Sequence, residues 1–315
     1  MRVIHTPHPD IDQPTFEAFR LHLVKRDLAS TTVTAYLDDL NRFWIWLCAV
    51  HDGQPPPLNQ VRTVDLAAFR AHLIHEQAQT PATVNRRIQG LRLFFRWMCD
   101  HDRVADNPAT HLRFMRRPSA QQPPALSRPE VLALVHAAAN SPHRLAPRNV
   151  ALVQLMLQAG LRVGETTALT HGDLQLKSRS GNVHVRDGKG LKARDVPLNR
   201  TARQALQSYL ATLPPWTDQR VVFRSKRGTP LAVRSVQAVI TRLADQAGID
   251  RIPVSAHTLR HTFAVFYLQQ HPGKLRQLAY LLGHESLDTT AIYTRPSPDD
   301  VADDLERSPL NVFDL

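Results

Sequence analysis

Residues 113–125 read Arg-Phe-Met-Arg-Arg-Pro-Ser-Ala-Gln-Gln-Pro-Pro-Ala. Its three prolines stiffen the backbone and its polar residues have nothing to bury, so the stretch reads as an extended linker. A chain with such a break in its middle has to build a core on each side of it. At 315 residues there is length for two. The expected division is a helical domain over 1–112, a linker over 113–125, and a second domain over 126–315 with a tail from about residue 299.

The first part has helical periodicity throughout. Phe16, Phe19 and Leu23 set a helix within 15–28. Ser30 is placed to cap a longer one with the stripe Val33, Tyr36, Leu37, Leu40, Trp44 and Leu47. Gly53-Gln54-Pro55-Pro56-Pro57 stops it. A third helix is expected from Asp65 to Glu76, through Leu66, Phe69 and Leu73. Thr80-Pro81 opens a fourth, a capping side chain followed by proline in the first turn, which buries Val84, Ile88, Leu91, Phe95 and Met98. The same helix carries Arg86, Arg87, Arg92 and Arg96. Two readings fit these arginines: a solvated face, or a face that contacts phosphates.

Charge favours the second. The chain holds 39 Lys and Arg against 28 Asp and Glu, a net charge of +11 and a pI near 10.3. Such a surface attracts polyanions, nucleic acid first among them. Only six of the basic residues are lysines, and arginine is the better bidentate phosphate ligand, although genome composition biases the choice equally well. The rest of the composition is that of an ordinary folded protein, with 43% hydrophobic and 21% charged residues. Cys48 and Cys99 sit among apolar neighbours and read as buried free thiols. The sixteen histidines are scattered, and no metal site is expected. Met1–Pro14 has no apolar run and nothing approaches the ~20 apolar residues of a membrane span, so a cytoplasmic protein is expected.

The second part mixes periods. Ser127 and Glu130 form a capping box ahead of Val131, Leu134, Val135 and Ala138. Residues 149–159 are strongly apolar and stop at Gly160, a C-cap glycine, which puts Arg162 at a helix junction beside Glu165. Over 182–198 the period changes to two: Val183 and Val185 lead into Asp187-Gly188-Lys189-Gly190, and Val196 and Leu198 return. This predicts a β-hairpin with Lys189 near its tip. The Gly-Lys-Gly lacks the Walker spacing, which excludes an NTPase loop. Helices are expected at 201–213, 235–247 and 258–270, with a short strand at 221–223. The fold class is therefore mainly α with a small β-sheet. His257 and Arg260, three apart on a helix, share a face and suit one anion. Tyr293 is a candidate nucleophile.

Taken in order, these residues resemble the tyrosine recombinases of the phage-integrase family, the Xer-type bacterial members above all. Ala159-Gly160-Leu161-Arg162-Val163-Gly164-Glu165 resembles the first arginine box, and Gly188-Lys189-Gly190 through Leu198 the lysine hairpin. His257-Thr258-Leu259-Arg260-His261-Thr262-Phe263-Ala264 resembles the second box. Leu281-Leu282-Gly283-His284, with Tyr293 nine residues on, resembles the third histidine and the nucleophile. Ser30-Thr31-Thr32-Val33-Thr34-Ala35-Tyr36 resembles the start of a SAM-like core-binding domain, making Thr31 and Thr32 candidate DNA contacts. The chain departs from the pattern in Thr166 and Thr167, where leucine is more usual, and in a lengthened turn over 177–182.

The resemblance implies a C-shaped clamp on double-stranded DNA in the bacterial nucleoid. It implies a homotetramer on two paired recombination sites, with or without a related recombinase, exchanging strands through a Holliday junction. It assigns Tyr293 the attack on a phosphate that leaves a 3′-phosphotyrosyl bond. Arg162 and Arg260 would clamp the phosphate oxygens, and His257 and His284 would hydrogen-bond them, with His257 taking the tyrosine proton. Lys189 would protonate the leaving 5′-oxygen, with Glu165 in support and no cofactor needed. The tail would dock on a neighbouring protomer. Two other functions share parts of this pattern. A type IB topoisomerase would relax plasmid of any sequence, and a silent architectural protein would form no covalent adduct.

Overall fold

The structure is a computed structural model that describes residues 13–26, 28, 30–116, 124–142, 144–186, 193–215, 217–284, 290 and 293. The chain divides into two compact units, Met1–Ser119 and Ala120–Leu315. Lys189, the hairpin tip and the tail from 299 lie outside the described residues.

The first unit is built from α1 (Gln13–Lys25), α2 (Ser30–Val50), α3 (Thr63–His75) and α4 (Pro81–Asp100). The predicted stripes are what it buries: Phe19, Leu40, Leu47, Leu66, Leu73, Val84 and Phe95 all face inward. Phe19 meets Phe94 edge-on at 5.1 Å, and Phe43 meets Phe69 at 5.2 Å, the arrangement aromatic quadrupoles favour. Each buried phenyl contributes about 1.5–3 kcal/mol of transfer free energy. The fourth helix starts as its sequence dictates, with Thr80 Oγ1 accepting the Thr83 amide and Pro81 in the first turn.

The expected linker begins later than the sequence suggests. The Met115 amide donates to Asn85 Oδ1 at 2.7 Å, and the Asn85 side-chain amide returns a bond to the Met115 carbonyl at 2.8 Å. A side-chain amide thus stands in for a neighbouring strand and fastens 113–116 to α4. Arg92 lies over the Phe114 ring at 4.4 Å.

The second unit holds α5 (Arg128–Ala139), α6 (Ala146–Ala159), α7 (Val163–Ala168), a three-stranded sheet, α8 (Arg200–Leu210), α9 (Val233–Gln246), α10 (Ala256–Gln270) and α11 (Leu275–Leu282). Helix α6 is apolar over most of its surface because it is surrounded, packing against α5, α8 and α10, with Gln154 and Gln158 on its half-buried side. The sheet is antiparallel in the order β1 (Leu174–Leu176), β2 (Gly181–Val185), β3 (Arg194–Pro197), with Val183 opposite Val196 as the period-two pattern requires. The turn from β1 is tight: the Lys177 amide donates to the Ser180 carbonyl, and Gly181 and Asn182 already belong to β2.

Two expectations change here. Residues 221–223 are not a strand. The Val222 amide donates to Leu169, whereas the Phe223 carbonyl accepts from Leu231, so the segment passes between two partners instead of running along one. Helix α11 was not expected. Leu278, Ala279 and Leu282 give it a buried face, but it is short and follows Pro272-Gly273, so its period is only sampled twice.

Candidate active site

The site grows out of the C-terminal end of α11. The last carbonyls of a helix have no partner within it and carry the negative end of its dipole. Here three arginines satisfy them. Arg194 Nε donates to the Leu281 carbonyl at 2.9 Å, Arg260 Nη2 to Leu282 at 2.6 Å, and Arg162 Nη2 to Gly283 at 2.9 Å. Gly283 ends the helix with φ +62°, and a Cβ there would sit 2.6 Å from the Arg194 guanidinium. Gly160 does the same for α6, with φ +61° and the Phe263 ring where a Cβ would be, and its carbonyl accepts from Arg260 Nη1 at 2.7 Å.

Glu165 completes the lattice. One oxygen takes the Arg162 amide at 2.8 Å, which caps α7, and the carboxylate also takes both Arg162 Nη1 at 2.9 Å and the two Arg194 nitrogens at 3.0 Å. Burial works to raise its pKa, but these bonds from Arg194 and Arg162 outweigh it and hold the carboxyl below its ordinary range. Burial, then the charge of Arg162, lowers the Arg260 guanidinium to about 10. Two of Arg162's five N–H groups and three of Arg260's are engaged by described residues, which leaves both with donors for an anion. Thr166, unusual at its position, bonds the Arg162 carbonyl at 3.0 Å and is buried.

Three histidines line the same place. His284 Nε2 lies 3.0 Å from Arg260 Nη2 and its Nδ1 lies 2.8 Å from Thr290 Oγ1. Because an arginine only donates, Nε2 is the unprotonated nitrogen. Burial, followed by Arg260, Arg162 and Arg194, pushes its pKa down to about 4. His257 and His261 are one turn apart on α10, ring centroids 4.0 Å from each other. Burial and the charges of Arg260 and Arg162 lower His257. Burial, then His257, Arg260 and His284, takes His261 to about 4. The Tyr293 hydroxyl is on His261, 2.5 Å from Nδ1, and not on His257 as expected. Burial raises the phenol pKa, which Arg260 opposes.

The sequence reading therefore finds Arg162, Glu165, His257, Arg260, His284 and Tyr293, and the structure brings them together. It missed Arg194, His261 and Thr290. His261 had a signal, since it stands four residues after His257 on one helix. Arg194 had none, being one more arginine in a strand.

The arginines of α4 divide. Arg86 pairs with Asp39 through two bonds, and Arg87 is buried beside the same carboxylate. Arg92 gives its guanidinium to the carbonyls of Ala109, Thr110 and Leu112. Arg87 is withdrawn from solvent, whereas Arg86 stays exposed and Arg92 half-buried. Arg96 is exposed, as is Thr31, whereas Thr32 is half-buried.

Residues 125–299 match the phage integrase family, and residues 16–101 match the phage integrase N-terminal SAM-like domain. The chain belongs to the phage integrase family. Among curated relatives, the tyrosine recombinase XerC of Rhodospirillum centenum is 35% identical over 280 residues, 86% of this chain and 79% of that protein. The tyrosine recombinase XerD of Ralstonia nicotianae is 36% identical over 272 residues, 85% and 84% of the two. Among solved structures, the recombinase XerH bound to its difH substrate superposes with a TM-score of 0.70 at 21% identity, covering 93% of this chain and 83% of that one. A lambda integrase dimer on a core site gives 0.69 at 20%, covering 90% and 76%. The protein is thus a site-specific DNA recombinase of the tyrosine type, and neither the topoisomerase nor the silent architectural reading is favoured. Among the described residues, no helix of the recombinase is long and apolar enough to cross a membrane.

Proposed function

We propose that the recombinase cuts one DNA strand at a time by attack of Tyr293 Oη on a phosphate gripped by Arg162 and Arg260. What carries this reading is the pair of guanidiniums fixed to helix-end carbonyls, Arg162 also to Glu165 and Arg260 also to His284, with donors to spare, in the site that holds the buried Tyr293 hydroxyl. A phosphodiester resists attack because charge accumulates on its oxygens, and donors already in place stabilise that charge without reorganising. His257 and His284 add hydrogen bonds to the same phosphate. Lys189 supplies the proton to the departing 5′-oxygen. The 3′-phosphotyrosyl bond keeps the energy of the broken phosphodiester, so rejoining needs no nucleotide.

The partner is a double-stranded recombination site, and four protomers on two paired sites would complete the exchange through a Holliday junction. In the second unit a groove of about 1030 Å³, lined by Phe263, Phe266, Tyr267, Tyr280 and Leu281, is apolar enough to receive the Val301, Leu305 and Phe313 side chains of a neighbour's tail. Arg86, Arg96 and Thr31 are the exposed candidates for backbone contacts in the first unit.

The test is covalent trapping. Host DNA bound to the protein after denaturation is sequenced to find the site, and a nicked duplex of that sequence is offered to the protein and to Tyr293→Phe. The expected result is an adduct on Tyr293 in the first and none in the second, with DNA binding unchanged. An adduct on another residue, or sequence-independent plasmid relaxation, overturns the reading.

A further inference from the structure

We propose that His261 holds the Tyr293 hydroxyl and accepts its proton during strand cleavage, which makes it a catalytic residue of this site. The proposal rests on the reading of Tyr293 as nucleophile. Its ground is geometric. Tyr293 Oη and His261 Nδ1 are 2.5 Å apart, and both side chains are buried, at 5% and 7% exposure. His257 has no such bond; its ring stacks edge-on against His261 and it is exposed. His284 has both ring nitrogens engaged, one by Arg260 and one by Thr290. Among the described histidines of the site, His261 alone has a ring nitrogen on the reacting oxygen.

Helix geometry explains the division of labour. His257 and His261 are four apart on α10, so their side chains lie one above the other, and Arg260 between them turns to the carbonyls of Gly160 and Leu282. One helix face thus offers a cation and a histidine for the phosphate, and a second histidine one turn on for the nucleophile.

The proton balance is complete. Oη–H gives its proton to His261 Nδ1 as the Oη–P bond forms, the P–O5′ bond breaks, and O5′ takes a proton from Lys189. In rejoining, the 5′-hydroxyl returns its proton to Lys189, attacks phosphorus, and the imidazolium of His261 reprotonates the departing tyrosine. The groups facing His261 set when this happens. His257 and Arg260 on α10 and His284 beyond α11 disfavour its charged form, and burial disfavours it most. In the free protein the tyrosine therefore stays neutral. A bound phosphate brings negative charge into the same space and reverses that balance, so the nucleophile is activated only over its target.

The experiment measures single-turnover adduct formation on the nicked site. His261→Asn keeps an acceptor for the hydroxyl but takes no proton; His261→Ala removes both. Each is expected to slow cleavage by roughly 10²–10⁴-fold at neutral pH, with DNA affinity unchanged. Replacing Tyr293 by a fluorinated tyrosine of lower phenol pKa should restore most of that loss in both variants and none of it in Lys189→Ala. DNA affinity and circular dichroism establish that each variant is folded. If His261→Asn cleaves as fast as the unaltered protein, or if the fluorinated tyrosine rescues His257→Ala and not His261→Asn, the assignment is overturned. Should the unaltered protein form no adduct at Tyr293, it is the reading of the nucleophile that fails, and this proposal with it.

Discussion

Asp39, buried in the first unit, and Glu165, largely buried in the second, are both carboxylates set between two arginines, yet their proton affinities move in opposite directions. Asp39 is raised, because burial exceeds what Arg86 and Arg87 return. Glu165 is lowered, because its hydrogen bonds exceed burial. The difference is in the count and aim of donors. Asp39 has the Arg86 guanidinium, but Arg87 Nε stands 3.5 Å off and has no hydrogen-bond partner. Glu165 has a backbone amide and two guanidiniums, all at 2.8–3.0 Å. Charge proximity alone does not stabilise a buried ion; saturating its lone pairs does. The first arrangement holds helices α2 and α4 together. The second fixes arginines where a phosphate is to be met.

The largest effect that sharpens this contrast is on stability. Asp39→Asn leaves Arg87 buried without its counter-charge and should cost the first unit about 3–5 kcal/mol. Replacing the pair together, Asp39→Leu with Arg87→Met, should recover most of that. Urea unfolding followed by tryptophan emission is a suitable readout, since Trp44, Trp46 and Trp97 belong to this unit. A double change as damaging as the single one would show that the pair is not a net burden.

Glu165→Gln should act on rate. Without the carboxylate Arg162 and Arg194 keep only their helix-end carbonyls, and displacement of an oxyanion ligand by about 1 Å can cost ~10²-fold. Adduct formation on a nicked site should fall by that order while DNA binding stays within a few-fold. Unchanged cleavage would mean that the helix-end carbonyls suffice to place Arg162.

The smallest effect is in acid. Glu165, held below its ordinary value, contributes stability that is present above the glutamate range and lost as pH falls through its lowered value. Asp39, held above its ordinary value, takes up its proton first in the folded state, so its linkage favours folding as pH falls through that interval. Asp39→Asn should therefore steepen the loss of stability with acid as pH falls toward the aspartate range, and Glu165→Gln should flatten it as pH falls through and below the glutamate range. Slopes of the same sign would break the comparison.

Much of this was legible beforehand. Thr80, Ser127 and Gly160 mark helix ends by chemistry that acts within four residues, so each was read correctly. The valines of the hairpin gave its register, because a one-residue slip would have put them in water. Arg92 shows where such reading stops. On a basic helix it resembles a phosphate ligand, and only the return of residues 109–112 to its side makes it a clamp on three carbonyls. His261 is similar: its spacing from His257 is in the sequence, but its hold on Tyr293, 32 residues away, is not.

The sequence by itself determined the helical first part, the hairpin, the order of the arginine, histidine and tyrosine boxes, and hence the class of chemistry. It did so because periodicity, caps and residue type are local properties of the chain. Only the tertiary structure decided which arginines stay available and which are consumed, and which histidine meets the nucleophile. For Arg162, Arg194 and Arg260 the deciding partners include backbone carbonyls at the ends of α6 and α11, which every residue possesses. A carbonyl becomes a ligand by where the fold leaves it unsatisfied, and residue identity carries no record of that.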